Sequence, residues 1–184
     1  DVITKADQSP VTVADQAAEG VVLDMLEQLT PVFPVVAEER AAAGQIPKCG
    51  QGFWLVDALD GTKEFIKGGN DFTVNVGFIW DGLPVMGLVH APARNETYMG
   101  ALRDGTHQAF IIQDGKVRFV NRHTENHWGY SLDEFIGQDA MRLVHIDDQE
   151  LVRESAIKML KGEQSTPFVF RALAKDGKIR WVTE

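Results

Sequence analysis

The sequence predicts an α+β fold in two parts, residues 1 to 103 and residues 107 to 184. The first observation is the stretch from Ala14 to Leu29, whose apolar residues recur at helical spacing. The second is the alternation of apolar and polar residues from 72 to 80, which is typical of a strand with one apolar face. The third is a set of Asp-Gly pairs that predict tight hairpin turns, at residues 81–82, 114–115 and 176–177.

The first part is expected to combine one long helix with several strands. Thr12 takes the N-cap position of the helix, and Asp15, three residues later, completes the pattern of a capping box. Residues 41 to 52 are predicted as a loop and residues 57 to 62 as a turn. The predicted strands cover residues 34 to 37, 53 to 56, 72 to 80, 83 to 91 and 95 to 102.

The second part begins where the character of the sequence changes, near residues 103 to 106. An antiparallel sheet with flanking helices is expected here, and Gly129 is placed to end the first of these helices. The predicted helices cover residues 122 to 128 and 148 to 160. The predicted strands cover residues 109 to 112, 117 to 120, 168 to 174 and 179 to 182.

Charge and composition exclude several classes of protein. The net charge is −9 with no basic stripe, which argues against binding nucleic-acid polymers but permits a small phosphorylated ligand if divalent cations lie between. No apolar run approaches the ~20 residues of a membrane span, and residues 1 to 5 lack the pattern of a signal peptide. The single cysteine, Cys49, fits a reducing compartment. A cytoplasmic protein without membrane contact is therefore expected.

Carboxylates follow two of the predicted strands. Asp57 and Asp60 lie three residues apart at the end of one strand, and Glu38 lies at the end of another. A tight turn can direct both aspartates and the Leu59 carbonyl at one point, and such oxygen ligands suit Mg²⁺. Residues 61 and 62 then open a predicted helix whose free N–H groups attract phosphate. The pattern predicts metal-assisted phosphoryl transfer to water.

Residues 54 to 65, which read W-L-V-D-A-L-D-G-T-K-E-F, resemble the signature of the inositol monophosphatase superfamily. The K-E-F ending is similar to the branch of 3′(2′),5′-bisphosphate nucleotidases. Residues 5 to 15, 37 to 39, and 71 to 75 with 91 to 92 resemble the family's other motifs in the same order. The resemblance covers most of the first part and implies a partial sugar-phosphatase-type αβ layer.

The resemblance also implies a role for each site residue. The implied ligands of Mg²⁺ are the oxygens of Glu38, Asp57, Leu59 and Asp60. Asp15 and Thr62 would orient the attacking water, and the backbone N–H groups of Gly61 and Thr62 would hold the phosphate. The substrates of this branch are bisphosphorylated nucleotides, so the expected partner is a small phosphorylated nucleotide or a sugar phosphate.

Two departures from the family pattern bear on activity. Ala58 stands where the family usually has proline, which leaves the turn less rigid. The family's third metal-binding aspartate, in a Trp-Asp-x-Ala-Ala context, has no counterpart in this sequence. Weak or absent turnover is therefore expected from this chain alone.

The same residues have simpler explanations that must be weighed. Asp15 taken alone is explained as the third residue of a capping box. Glu38, Asp57 and Asp60 could be no more than turn and surface carboxylates, although four motifs in the family's order favour a metal site. Lys67 is better explained as part of an exposed helical face than as a substrate contact.

The second part resembles a PAS domain. The resemblance implies a sensory or dimerisation role, with a ligand that the sequence does not identify. The expected partner is a second copy of the chain, bound as a homodimer through this part. The segments that carry the resemblance are residues 109 to 121, 129 to 137, 144 to 148 and 170 to 182. His123 and His127 lie four residues apart on a predicted helix and could share a metal. With no third ligand evident, two packed or solvated histidines are the simpler explanation.

Three functional hypotheses follow. The leading one is Mg²⁺-dependent hydrolysis of a phosphomonoester in a bisphosphorylated nucleotide. The alternative is a PAS-type sensory or dimerisation module in which the phosphatase segment is vestigial. The third is that neither part functions, because the chain joins pieces of two truncated domains.

Overall fold

A computed structural model describes residues 2–4, 10–103, 105–160 and 169–183. Residues 5 to 9 of the first predicted motif and residue 168 of a predicted strand lie outside the described residues. The helices are α1 (Val13–Leu29), α2 (Glu38–Ala42), α3 (Thr62–Ile66), α4 (Arg122–Trp128), α5 (Leu132–Phe135) and α6 (Gln149–Leu160). The strands are β1 (Val2–Thr4), β2 (Pro10–Thr12), β3 (Val35–Ala37), β4 (Gly52–Asp60), β5 (Thr73–Trp80), β6 (Leu83–Ala91), β7 (Glu96–Arg103), β8 (Thr106–Gln113), β9 (Lys116–Val120), β10 (Val169–Leu173) and β11 (Ile179–Thr183).

A seven-stranded sheet in the order β3-β4-β5-β6-β7-β8-β9 organises the described part of the chain. Strands β3 and β4 run parallel, and every later neighbour pair is antiparallel. Two separate two-stranded sheets are formed by β1 with β2 and by β10 with β11. The predicted α+β class is confirmed.

Helix α1 forms where the sequence predicts it and packs on one face of β3 and β4. Thr12 and Asp15 make the predicted capping box, which satisfies N–H groups at the start of the helix. Its apolar side buries Leu23 and Leu26 against Trp54 of β4. The indole of Trp54 also donates to the Thr30 hydroxyl at 2.9 Å, which ties the end of the helix to the sheet.

Strands β7 and β8 form one hairpin across the predicted boundary at residues 103 to 106. Their register pairs Arg103 with Thr106 and continues to Glu96 with Gln113. Among the described residues, β8 and β9 therefore extend the sheet of the first part instead of forming one sheet with β10 and β11. The division into residues 1 to 103 and 107 to 184 stays a prediction.

The second part builds two small cores. Asn121 caps α4 by accepting from the Thr124 N–H at 3.0 Å, and Gly129 ends this helix in a left-handed conformation, as predicted. One core surrounds Val117, Val120 and Phe135, and the other surrounds Val144, Val152 and Phe170. Within the described residues, no helix is long and apolar enough to cross a membrane.

Asp148 links the start of α6 to β10 through Arg171. Its carboxylate accepts from the Arg171 backbone N–H at 2.7 Å and from Nε and Nη2 at 2.9 and 2.5 Å. These bonds favour the ionised form and lower the pKa of Asp148 to about 2.

We expect Asp148→Asn to lower the melting temperature at pH 7 and to weaken its acid dependence. Because the folded pKa lies below the ordinary value of 3.8, the Asp148 carboxylate stabilises the fold above about pH 4 and this contribution is lost as pH falls towards 2. Thermal melts from pH 2 to pH 7 measure this, with the exposed Asp133→Asn as control. If the melting temperatures of the Asp148 variant and the wild type fall equally between pH 4 and pH 2, the stabilising role of the Asp148 carboxylate is contradicted.

Candidate functional site

The two aspartates of the predicted metal site lie at a β-bulge in β4. Asp57 pairs with Asn75 and Asp60 pairs with Thr73. Between these two pairs the chain moves three residues along β4 but only two along β5, so β4 contains one extra residue. Residues three apart in a regular strand point to opposite faces, but this extra residue returns Asp60 to the face of Asp57. The predicted turn over residues 57 to 62 is therefore wrong: the strand continues to Asp60 because pairing with β5 resumes beyond the bulge.

Glu38 reaches the same place from the neighbouring strand. It follows Ala37, the last residue of β3, and is the first residue of α2. The loop was predicted to begin at residue 41, but α2 extends to Ala42. Because β3 and β4 are parallel and Ala37 pairs with Val56, the chain delivers Glu38 beside Asp57. The two carboxyl groups hydrogen-bond to each other. Glu38, Asp57 and Asn75 line one end of a cavity of about 400 Å³.

The pairing of these two acids perturbs Asp57 strongly. Burial, then the charge and hydrogen bond of Glu38, and then the charge of Asp60 raise the pKa of Asp57 to about 7. The Leu59 N–H, 3.2 Å from Asp57 Oδ1, acts in the opposite direction. Two carboxylates in contact repel each other once both are ionised, so this oxygen-only donor pair fits a hard divalent cation such as Mg²⁺.

Asp60 is held by a different partner. Its Oδ2 accepts from Asn75 Nδ2 at 3.0 Å, and its charge is close enough to act on Asp57. Throughout the described ranges, no three His, Cys, Asp or Glu side chains are grouped closely enough to hold a metal by themselves. The structure brings two of the predicted ligands, Glu38 and Asp57, into contact. The full predicted ligand set stays a prediction: Glu38, Asp57, Leu59 and Asp60.

Asp15 and Thr62, the predicted water-orienting pair, are in direct contact. The Thr62 hydroxyl donates to Asp15 Oδ1 at 2.8 Å and lies 3.2 Å from the Leu59 carbonyl oxygen. Asp15 is only 3% exposed, and its Oδ2 accepts from the N–H and hydroxyl of Thr12 at 2.7 and 2.6 Å. The capping-box explanation of Asp15 is therefore correct, and the same carboxylate also ties α1 to α3.

Gly61 occupies a position that no other residue fits. Its φ is +94°, and a Cβ built there would lie 2.6 Å from the Asp71 carbonyl oxygen. The first hydrogen bonds of α3 run from the N–H groups of Glu64 and Phe65 to the Gly61 carbonyl, so the N–H groups of residues 61 and 62 precede them. The phosphate role of Gly61 and Thr62 stays a prediction.

Two polar residues of this region were missed by the sequence analysis. Asn75, on β5, is the amide that holds Asp60, and its Oδ1 is buried without a hydrogen-bond donor among the described residues. Glu19, on α1, is 4% exposed and accepts from two backbone N–H groups of α2. A signal for Glu19 exists, because it lies four residues before Leu23 on the apolar side of the helix, where an acid is unusual.

The two histidines considered for a metal site lie on α4. His123 is exposed, whereas the ring of His127 packs edge-on against Trp128 at a centroid distance of 5.5 Å. The His127 carbonyl accepts from Arg180 Nη2 at 2.8 Å. These contacts favour a structural role for His127, and the exposure of His123 fits the predicted solvated histidine.

Two family models match the chain. The sequence model of the inositol monophosphatase family matches residues 2 to 145, and that of the PAS fold matches residues 117 to 184. The two matches overlap over residues 117 to 145, which include β9 and α4. The seven-stranded sheet thus lies within the first match.

Curated relatives match between about half and two thirds of this chain. The 3′(2′),5′-bisphosphate nucleotidase CysQ of Escherichia coli K12 is 50% identical over 101 residues, which are 55% of this chain and 41% of that protein. CysQ of Aggregatibacter actinomycetemcomitans is 33% identical over 126 residues, which are 66% and 46% of the two chains. The chain thus spans less than half the length of these relatives.

Solved structures share the same fold. An IMPase of Thermotoga maritima matches with a TM-score of 0.53 and 28% identity, over 63% of this chain and 42% of that one. The extragenic suppressor protein suhB of Bartonella henselae matches with a TM-score of 0.52 and 26% identity, over 60% of this chain and 42% of that one.

We expect Gly61→Ala to lower the free energy of unfolding by about 2 kcal/mol or more, because it combines left-handed backbone strain with a clash against the Asp71 carbonyl. Gly44→Ala is the matched control: Gly44 has a φ of +78° and nothing within 4 Å of the added Cβ, so it should lose only roughly 1 kcal/mol. Urea unfolding measures both variants. If both variants lose the same free energy of unfolding, the clash with the Asp71 carbonyl does not contribute to the loss.

Proposed function

We propose, since this chain belongs to the inositol monophosphatase family, that its first part forms a Mg²⁺-dependent phosphomonoesterase site of the 3′(2′),5′-bisphosphate nucleotidase type. The observation that carries the proposal is the pairing of Glu38 with Asp57. Two acids that hydrogen-bond to each other in a partly buried place are a poor arrangement for a metal-free protein. They become a favourable one when a cation neutralises them.

The proposed ligands are carboxylate and carbonyl oxygens, supplied by Glu38, Asp57, Asp60 and the Leu59 main chain. When bound, a divalent cation supplies charge neutralisation and makes a coordinated water more acidic. The bulge in β4 places Asp60 on the face of Asp57, and Asn75 fixes the Asp60 carboxylate by its amide. Glu38 is positioned by the parallel pairing of β3 with β4.

The Asp15–Thr62 pair is proposed to orient the attacking water. Asp15 is buried and accepts from Thr12, so its position is fixed before any ligand binds. The Thr62 hydroxyl already donates to Asp15, which leaves its oxygen free to accept a hydrogen bond from water. The N–H groups of Gly61 and Thr62 are proposed to hold the phosphate at the start of α3.

The proposed substrate is a small nucleotide that carries two phosphates. CysQ relatives at 33% to 50% identity carry this activity in their names. Turnover is expected to be slow, because the described residues bring two carboxylates into contact where a two-metal site needs a larger set of ligands.

We expect Mg²⁺ to raise the melting temperature of the wild type and to leave that of Asp57→Asn unchanged. A ligand that binds only the folded state stabilises it by about 2.7 kcal/mol at 100 times its Kd. In EDTA the variant should melt at or above the wild type, because the substitution removes repulsion between Glu38 and Asp57. Differential scanning fluorimetry with and without MgCl₂ measures both effects.

The control for this experiment is Asp81→Asn, a change of the same charge in the turn between β5 and β6. It should keep the full response to Mg²⁺. Phosphate release from a bisphosphorylated nucleotide is followed in parallel, and it should need Mg²⁺ and be lost in Asp57→Asn. A wild type without any thermal response to Mg²⁺ would contradict the proposed function.

A second candidate function rests on the PAS match at residues 117 to 184. The register of β10 and β11 puts Val169, Ile179 and Trp181 on one side of the hairpin, where they are 52%, 47% and 69% exposed. Arg171 lies on the same side, directly opposite Trp181, so this face combines exposed apolar side chains with one arginine. Such a face fits a homodimer formed through the second part.

We expect Trp181→Ser to shift the chain towards monomer in sedimentation-velocity experiments at micromolar concentration, because Trp181 has the most exposed large side chain on this face. Leu83→Ser, 66% exposed but on β6, is the control and should leave the distribution unchanged. A wild type that remains monomeric at all concentrations would exclude this function of the hairpin.

A further inference from the structure

Glu19 is a buried acid whose contacts converge on the segment that carries Glu38. It lies on α1 and is 4% exposed. Its Oε2 accepts from the Glu39 N–H at 2.7 Å, and its Oε1 accepts from the Arg40 N–H at 3.0 Å. Both carboxylate oxygens are therefore used, and each has a separate backbone donor on α2.

We infer that Glu19 is a positioning residue for the cation site: it fixes the start of α2 and thereby holds Glu38 against Asp57. The inference rests on the proposed function, since it assumes that Glu38 binds a divalent cation. Glu19 itself is not proposed as a ligand. It acts through two main-chain groups, one of which belongs to the residue directly after Glu38.

Helix α2 needs such support because it is weak by itself. It has five residues, too few for a stable isolated helix. Its N-cap residue is Ala37, which makes no side-chain hydrogen bond to the first turn. Glu19 supplies from another helix the acceptor that a serine or aspartate cap ordinarily provides.

The anchor of this contact is rigid. Four residues after Glu19, Leu23 is 2% exposed in the core between α1 and β4, where Ala37 and Trp54 are also buried. Asp15, four residues before Glu19, binds Thr62 from the same side of α1. One helical ridge with two buried carboxylates thus contacts both the segment of Glu38 and the segment of Thr62.

The contact could instead serve only to stabilise the fold, and the two roles give different results. A purely structural residue changes the melting temperature but leaves the affinity of folded molecules for Mg²⁺ intact. A positioning residue changes that affinity, because Glu38 loses its fixed place relative to Asp57. Mg²⁺ affinity measured on folded protein therefore separates the two roles.

The test is Glu19→Gln in the full chain, with Mg²⁺ titrated by isothermal calorimetry. The amide keeps the size of the side chain but can accept from only one of the two N–H groups and turns its NH₂ towards the other. We expect Mg²⁺ to bind at least ~10-fold more weakly. In ¹H–¹⁵N spectra, the amide signals of Glu39 and Arg40 should move.

Two controls accompany this variant. Glu27→Gln makes the same chemical change at an exposed position of α1 and should bind Mg²⁺ like the wild type. Val120→Ala removes a side chain that is 2% exposed in the separate core around Val117 and Phe135, and it should lower the melting temperature without changing the Mg²⁺ affinity. If Glu19→Gln fails to fold, Glu19→Asp keeps both oxygens on a shorter side chain and should show an intermediate loss of affinity.

The outcomes separate this inference from the proposed function. A folded Glu19→Gln chain that binds Mg²⁺ as tightly as the wild type overturns the role of Glu19 and leaves the phosphatase proposal standing. A wild type that does not bind Mg²⁺ overturns both. A loss of affinity in Val120→Ala equal to that in Glu19→Gln also overturns the role of Glu19, because stability alone would then explain it.

Discussion

The contact of helix α1 with the parallel strands β3 and β4 is the constraint on which the site depends. Leu23 and Leu26 bury their side chains against Trp54, which fixes the helix on the sheet. From this fixed position, Asp15 reaches Thr62 and Glu19 reaches the backbone of α2. Ordinary hydrophobic packing therefore sets the separation of polar groups that lie far apart in the sequence.

The proposed chemistry depends on an arrangement that is unfavourable without a ligand. Two carboxyl groups share a partly buried place, and the pKa of Asp57 is raised to about 7 as a result. Asn75 is neutral and donates to Asp60, so it holds an acid without adding a charge. The surrounding strands hold these groups in place, because β4 is paired on both sides. Such a fixed arrangement is what the proposed cation site requires.

Local rules predict much of this fold, and tertiary contacts account for what they miss. The capping box at Thr12 and the Asp-Gly turns at 81–82 and 114–115 are correct, because the Asp and Gly of both turns have positive φ. The bulge in β4 was mistaken for a turn, since short polar residues and glycine occur in both. The Glu19 contact crosses 20 residues of sequence, and no local pattern encodes its partner.

The hairpin of β7 and β8 joins the two predicted parts of the chain by a continuous ladder of main-chain hydrogen bonds. Eight residue pairs run from Glu96 with Gln113 to Arg103 with Thr106. A gene divided at this point would leave each product with an open strand edge, which invites association with other chains. The two predicted parts therefore share one sheet, and any force that separates β7 from β8 must break this ladder.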